Sequence, residues 1–191
     1  MVRHRSRSRS SEGGAMALVI VDMINPLDFP GGTAILPRAL AAARSIARLK
    51  QRLKAGGNPV IYANDNFTKW RMGFSEIVAI SANGSRGADI AKLLAPEPDD
   101  HFVLKPKHSA FFEAPLETLL AKLQARRLVI TGLATDGCVL ATVMDAHMRE
   151  YEVHVPRDCV AAASDARTTR ALELMRTAMD VDVRTSRHVR P

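Results

Sequence analysis

RLVITGLATDGCVLATVMDAHMR (127–149) reads as one strand–turn–helix unit. RLVITG (127–132) is a short apolar run of strand composition. Residues 137–149 form the helix, with Thr135 or Asp136 available as its cap and Gly137 suited to a tight entry. A strand that passes directly into a helix is the repeating unit of a parallel α/β sheet.

Working outward, the same alternation recurs. ALVIVD (17–22) is an apolar run ending in an acid, as a strand buried on both faces would read. Residues 37–55 begin with Pro37, carry Leu40, Ala43, Ile46, Leu49 and Leu53 at helical spacing, and stop at Gly56 and Gly57. PVIYAN (59–64) and HFVLK (101–105) are further strands, with an irregular stretch between them and a helix near 86–94. PLETLLAKLQA (115–125) is a helix, YEVHVP (151–156) a strand, 164–178 a helix capped by Ser164, and VDVRT (181–185) the last strand. The expectation is an α/β, three-layer, Rossmann-like fold with a mostly parallel six-stranded sheet flanked by helices. In such sheets, sites form beyond the carboxyl ends of the strands. Asp22, Asp65, Lys105, the 132–138 turn and Asp158 all fall there.

Composition agrees with one soluble domain. The chain has 191 residues, of which 47% are hydrophobic and 25% charged, enough to bury a core. No apolar run approaches the roughly 18 residues of a membrane span. Two cysteines, Cys138 and Cys159, are too few for a disulfide framework, so a reducing, cytoplasmic setting is expected. Residues 1–15, with Arg3, Arg5, Arg7 and Arg9 among serines and then Gly13 and Gly14, are expected to be a disordered tail. No apolar stretch follows to make it an export signal. The net charge of +7 is concentrated in part in that tail, and aromatic content is 5%. Nucleic acid is therefore not the expected partner.

Three residues carry possible chemistry. Cys138 lies where a helix begins, a position that favours a thiolate, although a small buried thiol fits equally. Lys105 either terminates a strand at the surface or aims a cation into the crevice, with Lys107 beyond the strand end. Asp22 is either a simple strand cap or, beside a thiol and a lysine, a proton acceptor. Cys159 is assigned to packing. Met144, Met148, Met175 and Met179 read as core or oligomer interface.

Three blocks, ALVIVDMINPL (17–27), LKPKHSAFF (104–112) and TGLATDGCVLAT (131–142), resemble the isochorismatase-like cysteine hydrolases, among them nicotinamidases, N-carbamoylsarcosine amidohydrolases and ureidoacrylate-type amidohydrolases. The resemblance makes 16–191 one hydrolase domain. It implies a triad of Cys138 as nucleophile with Lys105 and Asp22. It also implies a cis peptide between Leu133 and Ala134, turning the amides of Ala134 and Cys138 toward an oxyanion. Nicotinamidases carry an Asp-x-His metal motif after the second strand. Here NDNFTKW (64–70) keeps Asp65 but has Phe67 in the histidine's place, and the six histidines show no replacement spacing. No metal and no cofactor are expected. Members that cleave vinyl ethers lack the cysteine, so Cys138 points to the amide- or ureide-cleaving branch. A small amide or ureide is the expected partner, with Asn25, Phe29, Asp65, Phe67, Trp70, His108 and Phe111 as candidate contacts. Trp70 is either a lid-packing residue or a stacking surface. Relatives commonly form homo-oligomers. The competing readings are a silent relative that binds a small molecule or protein, and nicotinamidase- or isochorismatase-type activity.

Overall fold

The sheet is built around one strand. β1 (Ala15–Val21) has every residue from Met16 to Val21 buried. Its pleat divides those side chains between two cores. Leu18 and Ile20 face one, and Ala17, Val19 and Val21 the other. A strand buried on both faces needs the continuous apolar run that the sequence supplies. The computed structural model describes residues 14–67 and 70–190.

β2 (Val60–Asp65), β3 (His101–Lys105), β4 (Ala125–Leu133), β5 (Glu152–His154) and β6 (Val160–Ala161) complete a six-stranded sheet. Its order is β3-β2-β1-β4-β5, with β6 also paired to β4, and every pairing is parallel. α1 (Gly32–Ala55), α2 (Phe74–Ala82) and α3 (Ala88–Leu93) pack on one face. α4 (Leu116–Lys122), α5 (Leu140–Met148) and α6 (Asp165–Met179) pack on the other. The three-layer α/β architecture is the expected one. Among the described residues, no helix is long and apolar enough to cross a membrane.

Several elements differ in detail. The sixth strand is not 181–185. That segment makes a single parallel bridge, His154 to Asp182, because the Asp182 side chain turns back onto the Arg184 amide (2.9 Å) and guanidinium (2.6 Å) and closes the chain locally. α1 starts at Gly32, so Pro37 lies inside the helix and not at its first residue. Gly31, at φ 94°, makes the left-handed turn into it. α2 falls in a stretch expected to be irregular. Ser164 caps α6 as expected, its hydroxyl accepting from the Arg167 amide at 3.3 Å. Met175 is core, whereas Met144 and Met148 face outward. Residues 1–13 of the expected tail lie outside the described residues, and Ala15 already opens β1.

A buried lysine anchors α1 to the sheet. Lys50 donates to Asp100 (2.6 Å), the Tyr62 hydroxyl (3.1 Å) and the Ala95 carbonyl (3.2 Å). Every partner is a fixed acceptor with no reactive group among them, so this cluster is structural.

The chain turns from β1 to β2 on one side and reaches β4 only later on the other, so the strand order reverses between β1 and β4. There the backbones approach closely. Gly132 pairs with Val21, has φ 112°, and a Cβ on it would stand 2.0 Å from the Val21 carbonyl oxygen. Only glycine meets both demands. Gly132→Ala is expected to destabilise the protein by about 3 kcal/mol or more, read as a lower urea midpoint with an unchanged denaturant slope.

Candidate active site

Asp22 follows β1 directly, with its backbone in the left-handed region at φ 51°. Its amide donates to the Ala63 carbonyl at 3.0 Å, and its carboxylate accepts from the Asp65 amide at 2.7 Å. Both bonds tie it to the end of β2. Lys105 is the last residue of β3 and is fully buried. Its ammonium lies 2.8 Å from the Asp22 carboxylate, 3.4 Å from Cys138 Sγ and 3.1 Å from the Lys107 carbonyl. The ammonium thus bridges the Asp22 carboxylate and the Cys138 sulfur. Three side chains from three strand ends therefore meet at one point, on the carboxyl side of the sheet.

Cys138 sits in a wide π-type turn, Thr135–Val139, between β4 and α5. The Gly137 and Val139 amides both donate to the Ala134 carbonyl, at 2.9 Å and 3.2 Å. The Leu133–Ala134 peptide is trans, not cis as the resemblance implied. The turn is closed by that shared carbonyl, and trans is the ordinary state of a non-proline bond by about 3–4 kcal/mol.

The electrostatics reverse one expectation. A thiol at a helix start beside a lysine suggests a depressed pKa. Here burial and the Asp22 charge push the Cys138 thiol up to about 12, with Lys105 opposing only in part. Burial also raises the Asp22 carboxyl, against the pull of Lys105. Burial works against the Lys105 ammonium, but Asp22, Cys138 and Asp65 together outweigh it and raise the Lys105 pKa. The resting site is a neutral thiol beside an ion pair. Its carboxylate is a stronger proton acceptor than an ordinary aspartate.

Two supporting residues escaped the sequence reading. Asn64 is fully buried and clamps the loop after Asp22, accepting from the Ile24 amide (3.3 Å) and donating to the Ile24 carbonyl (2.9 Å). Thr142 donates to the Cys138 carbonyl (2.7 Å) and accepts from the Ala110 amide (3.1 Å), joining the Cys138 turn to the loop after Lys105. The only available signal was a hydroxyl four residues beyond the cysteine, the spacing of a helix back-bond.

The other candidates scatter. Asn25 caps its own loop, its side-chain oxygen accepting from the Leu27 amide at 2.7 Å. Asp65 accepts from the Phe67 amide at 2.6 Å. Phe29 and His108 are exposed. Phe111 is buried in the second core, tilted against Tyr151 and covered by the Arg149 guanidinium. Asp158 does not join the crevice; it holds the Ser186 amide and hydroxyl, both at 2.7 Å. Trp70 lines a pocket beside the site with Asn66, Met72, Leu104, Pro106 and Glu113. Among the described residues, no group of three His, Cys, Asp or Glu side chains could hold a metal ion. At the place of the nicotinamidase motif Asp65 has Phe67 two residues on, which cannot ligate, so these residues do not fit a metal.

The isochorismatase domain model matches residues 16–187. The chain is 39% identical over 173 residues to the uncharacterised isochorismatase family protein YaaI of Bacillus subtilis strain 168, covering 91% of this chain and 95% of that one. Among solved structures it resembles the nicotinamidase SaPncA from Staphylococcus aureus, with a TM-score of 0.69, 22% identity, and coverage of 92% of this chain and 99% of that one. It also resembles the N-carbamoylsarcosine amidase from Thermoplasma acidophilum, with a TM-score of 0.71, 24% identity, and coverage of 93% and 99%. These two likenesses are of fold.

The balance of charges predicts an unusual response to mutation. Asp22→Asn removes a charge that raises the thiol pKa, so iodoacetamide should alkylate Cys138 several-fold faster near pH 8 than in the unsubstituted protein. An unchanged rate would mean that the Asp22 charge does not raise the thiol pKa, whereas a slower one would mean that Asp22 assists attack on iodoacetamide as a proton acceptor.

Proposed function

This chain belongs to the isochorismatase family, and on that premise we propose that it is a metal-independent cysteine hydrolase cleaving a C–N bond of a small amide or ureide. The observation that carries the reading is the buried contact of one ammonium with both a carboxylate, at 2.8 Å, and a thiol sulfur, at 3.4 Å. A fold that only bound a ligand would have no need to bury this set together. The names of two fold neighbours, a nicotinamidase and an N-carbamoylsarcosine amidase, give C–N hydrolysis as a chemistry this architecture supports.

The steps follow from the protonation states. The Asp22 carboxylate takes the Cys138 proton as sulfur attacks the carbonyl carbon, so a free thiolate never accumulates. Lys105 remains charged throughout and stabilises the anion while it resides on sulfur. The carbonyl π-electrons move to oxygen, and the Cys138 amide, in the turn that enters α5, receives that oxyanion. The C–N bond breaks as the Asp22 carboxylic acid returns its proton to the departing nitrogen. An acyl thioester remains. Water attacks it after losing a proton to Asp22, sulfur leaves, and the same proton restores the thiol.

The homo-oligomer expected of relatives belongs to this proposal as well. So does a cytoplasmic location.

Ammonia release from a panel of small amides and ureides, with chelator present, tests the reading. Wild type is expected to turn over, and Cys138→Ala and Asp22→Asn to lose at least about a thousandfold in kcat/KM. The acid limb should lie above the ordinary carboxylate range, since Asp22 must be ionised and burial raises its pKa. Activity would be lost as pH falls through that raised value. Turnover that survives in Cys138→Ala, or that vanishes with chelator, would sink the proposal.

A further inference from the structure

On the hydrolase reading, the reacting carbonyl lies at Cys138 and the rest of the substrate needs room beside it. A pocket of about 160 Å³ lies against the same strand ends. Leu104 and Pro106, in its wall, flank Lys105, and Asn66 follows Asp65. Trp70, Met72 and Glu113 complete it.

The chemistry of this pocket is one-sided. Trp70 is 76% exposed, so a large indole surface stands in water where a ligand would cover it. Glu113 is exposed on the loop between β3 and α4, with its backbone at φ 46°. Among the described residues it has no ion-pair partner. Glu113 is the one charged side chain among the described residues that line the pocket, and Lys105, behind its wall, is already paired with Asp22. An aromatic face next to an uncompensated carboxylate attracts a cation twice, through the ring quadrupole and through charge. The same combination repels a substrate carboxylate.

We propose that this pocket is the specificity subsite of the hydrolase, and that it takes an alkylammonium group carried by the amide or ureide. Trp70 supplies the π face and Glu113 the counter-charge. The substrate class is then a cationic amide, and anionic ureides are poor substrates.

A pair of isosteres isolates the charge: 4-(trimethylammonio)butanamide and 5,5-dimethylhexanamide differ only by nitrogen for carbon. Wild type is expected to favour the cation by about tenfold in kcat/KM, and Glu113→Gln and Trp70→Leu to erase most of that ratio. Glu113→Lys is expected to turn the preference toward the neutral amide. Binding gives a readout that needs no turnover. Trp70 is the only tryptophan in the chain, so its emission reports this pocket alone. In Cys138→Ala protein, the cationic amide should give a saturable change that the neutral isostere gives only at far higher concentration. Equal binding of the two isosteres would overturn the subsite. So would undiminished cation binding in Glu113→Gln carried on the Cys138→Ala background. Ammonia release from neutral amides with no ammonium preference would sink the subsite and spare the hydrolase. Selective cation binding by wild type that hydrolyses nothing would do the reverse.

Discussion

The ion pair of Lys105 with Asp22 governs the arrangement around it. Both charges are out of water, and removing a carboxylate or an ammonium from solvent costs several kcal/mol per ion. Their attraction offsets that cost only when each remaining valence is filled. Here it is. The Asp65 amide donates to the carboxylate, and the Lys107 carbonyl and Cys138 sulfur complete the ammonium. Such a pair adds little net stability. It does, however, fix positions strongly, because breaking it strands a buried charge at about 3–5 kcal/mol.

Sheet topology explains why the cation is a lysine. β3 and β1 are separated by β2 in the order β3-β2-β1-β4. Neighbouring strands lie about 4.8 Å apart, so the two backbones are roughly 10 Å from one another. A short side chain at 105 could not reach Asp22 across β2, whereas the extended lysine stem does, with its carbons buried along the way. On the other side, the side-chain-free contact of Gly132 with Val21 draws β4 in and delivers the cysteine turn. Long reach on one flank and close approach on the other bring the three groups together.

Most of this was legible in sequence because strand ends announce themselves. Apolar runs ending in Asp22, Asp65 and Lys105, and a glycine-bounded turn before Cys138, give the layers and put these polar groups at strand ends. What escaped depends on pairing across distance. Nothing in PVIYAN says that Asn64 will clamp Ile24, forty residues earlier. VDVRT has strand composition, yet Asp182 finds Arg184 two residues on and ends the ladder. Two isolated residues, Val160 and Ala161, take the last place in the sheet beside Gly132 and Leu133. The thiol illustrates a different limit. Local cues, a helix start and a lysine, point to a low pKa, while burial and a third group from another strand reverse the sign.

The contact of Gly132 with Val21 also sets when the site assembles. Pairing those residues closes a loop of about a hundred residues, an expensive and slow event in chain collapse. Until it closes, Cys138 lacks both the carboxylate and the cation that neighbour it in the folded chain. During synthesis the first strand must wait for the fourth, with the second and third already available to it. The emerging polypeptide thus carries an ordinary thiol, and the raised thiol pKa appears only with the final register. Any activity that the chain displays is in this sense a certificate of completed folding.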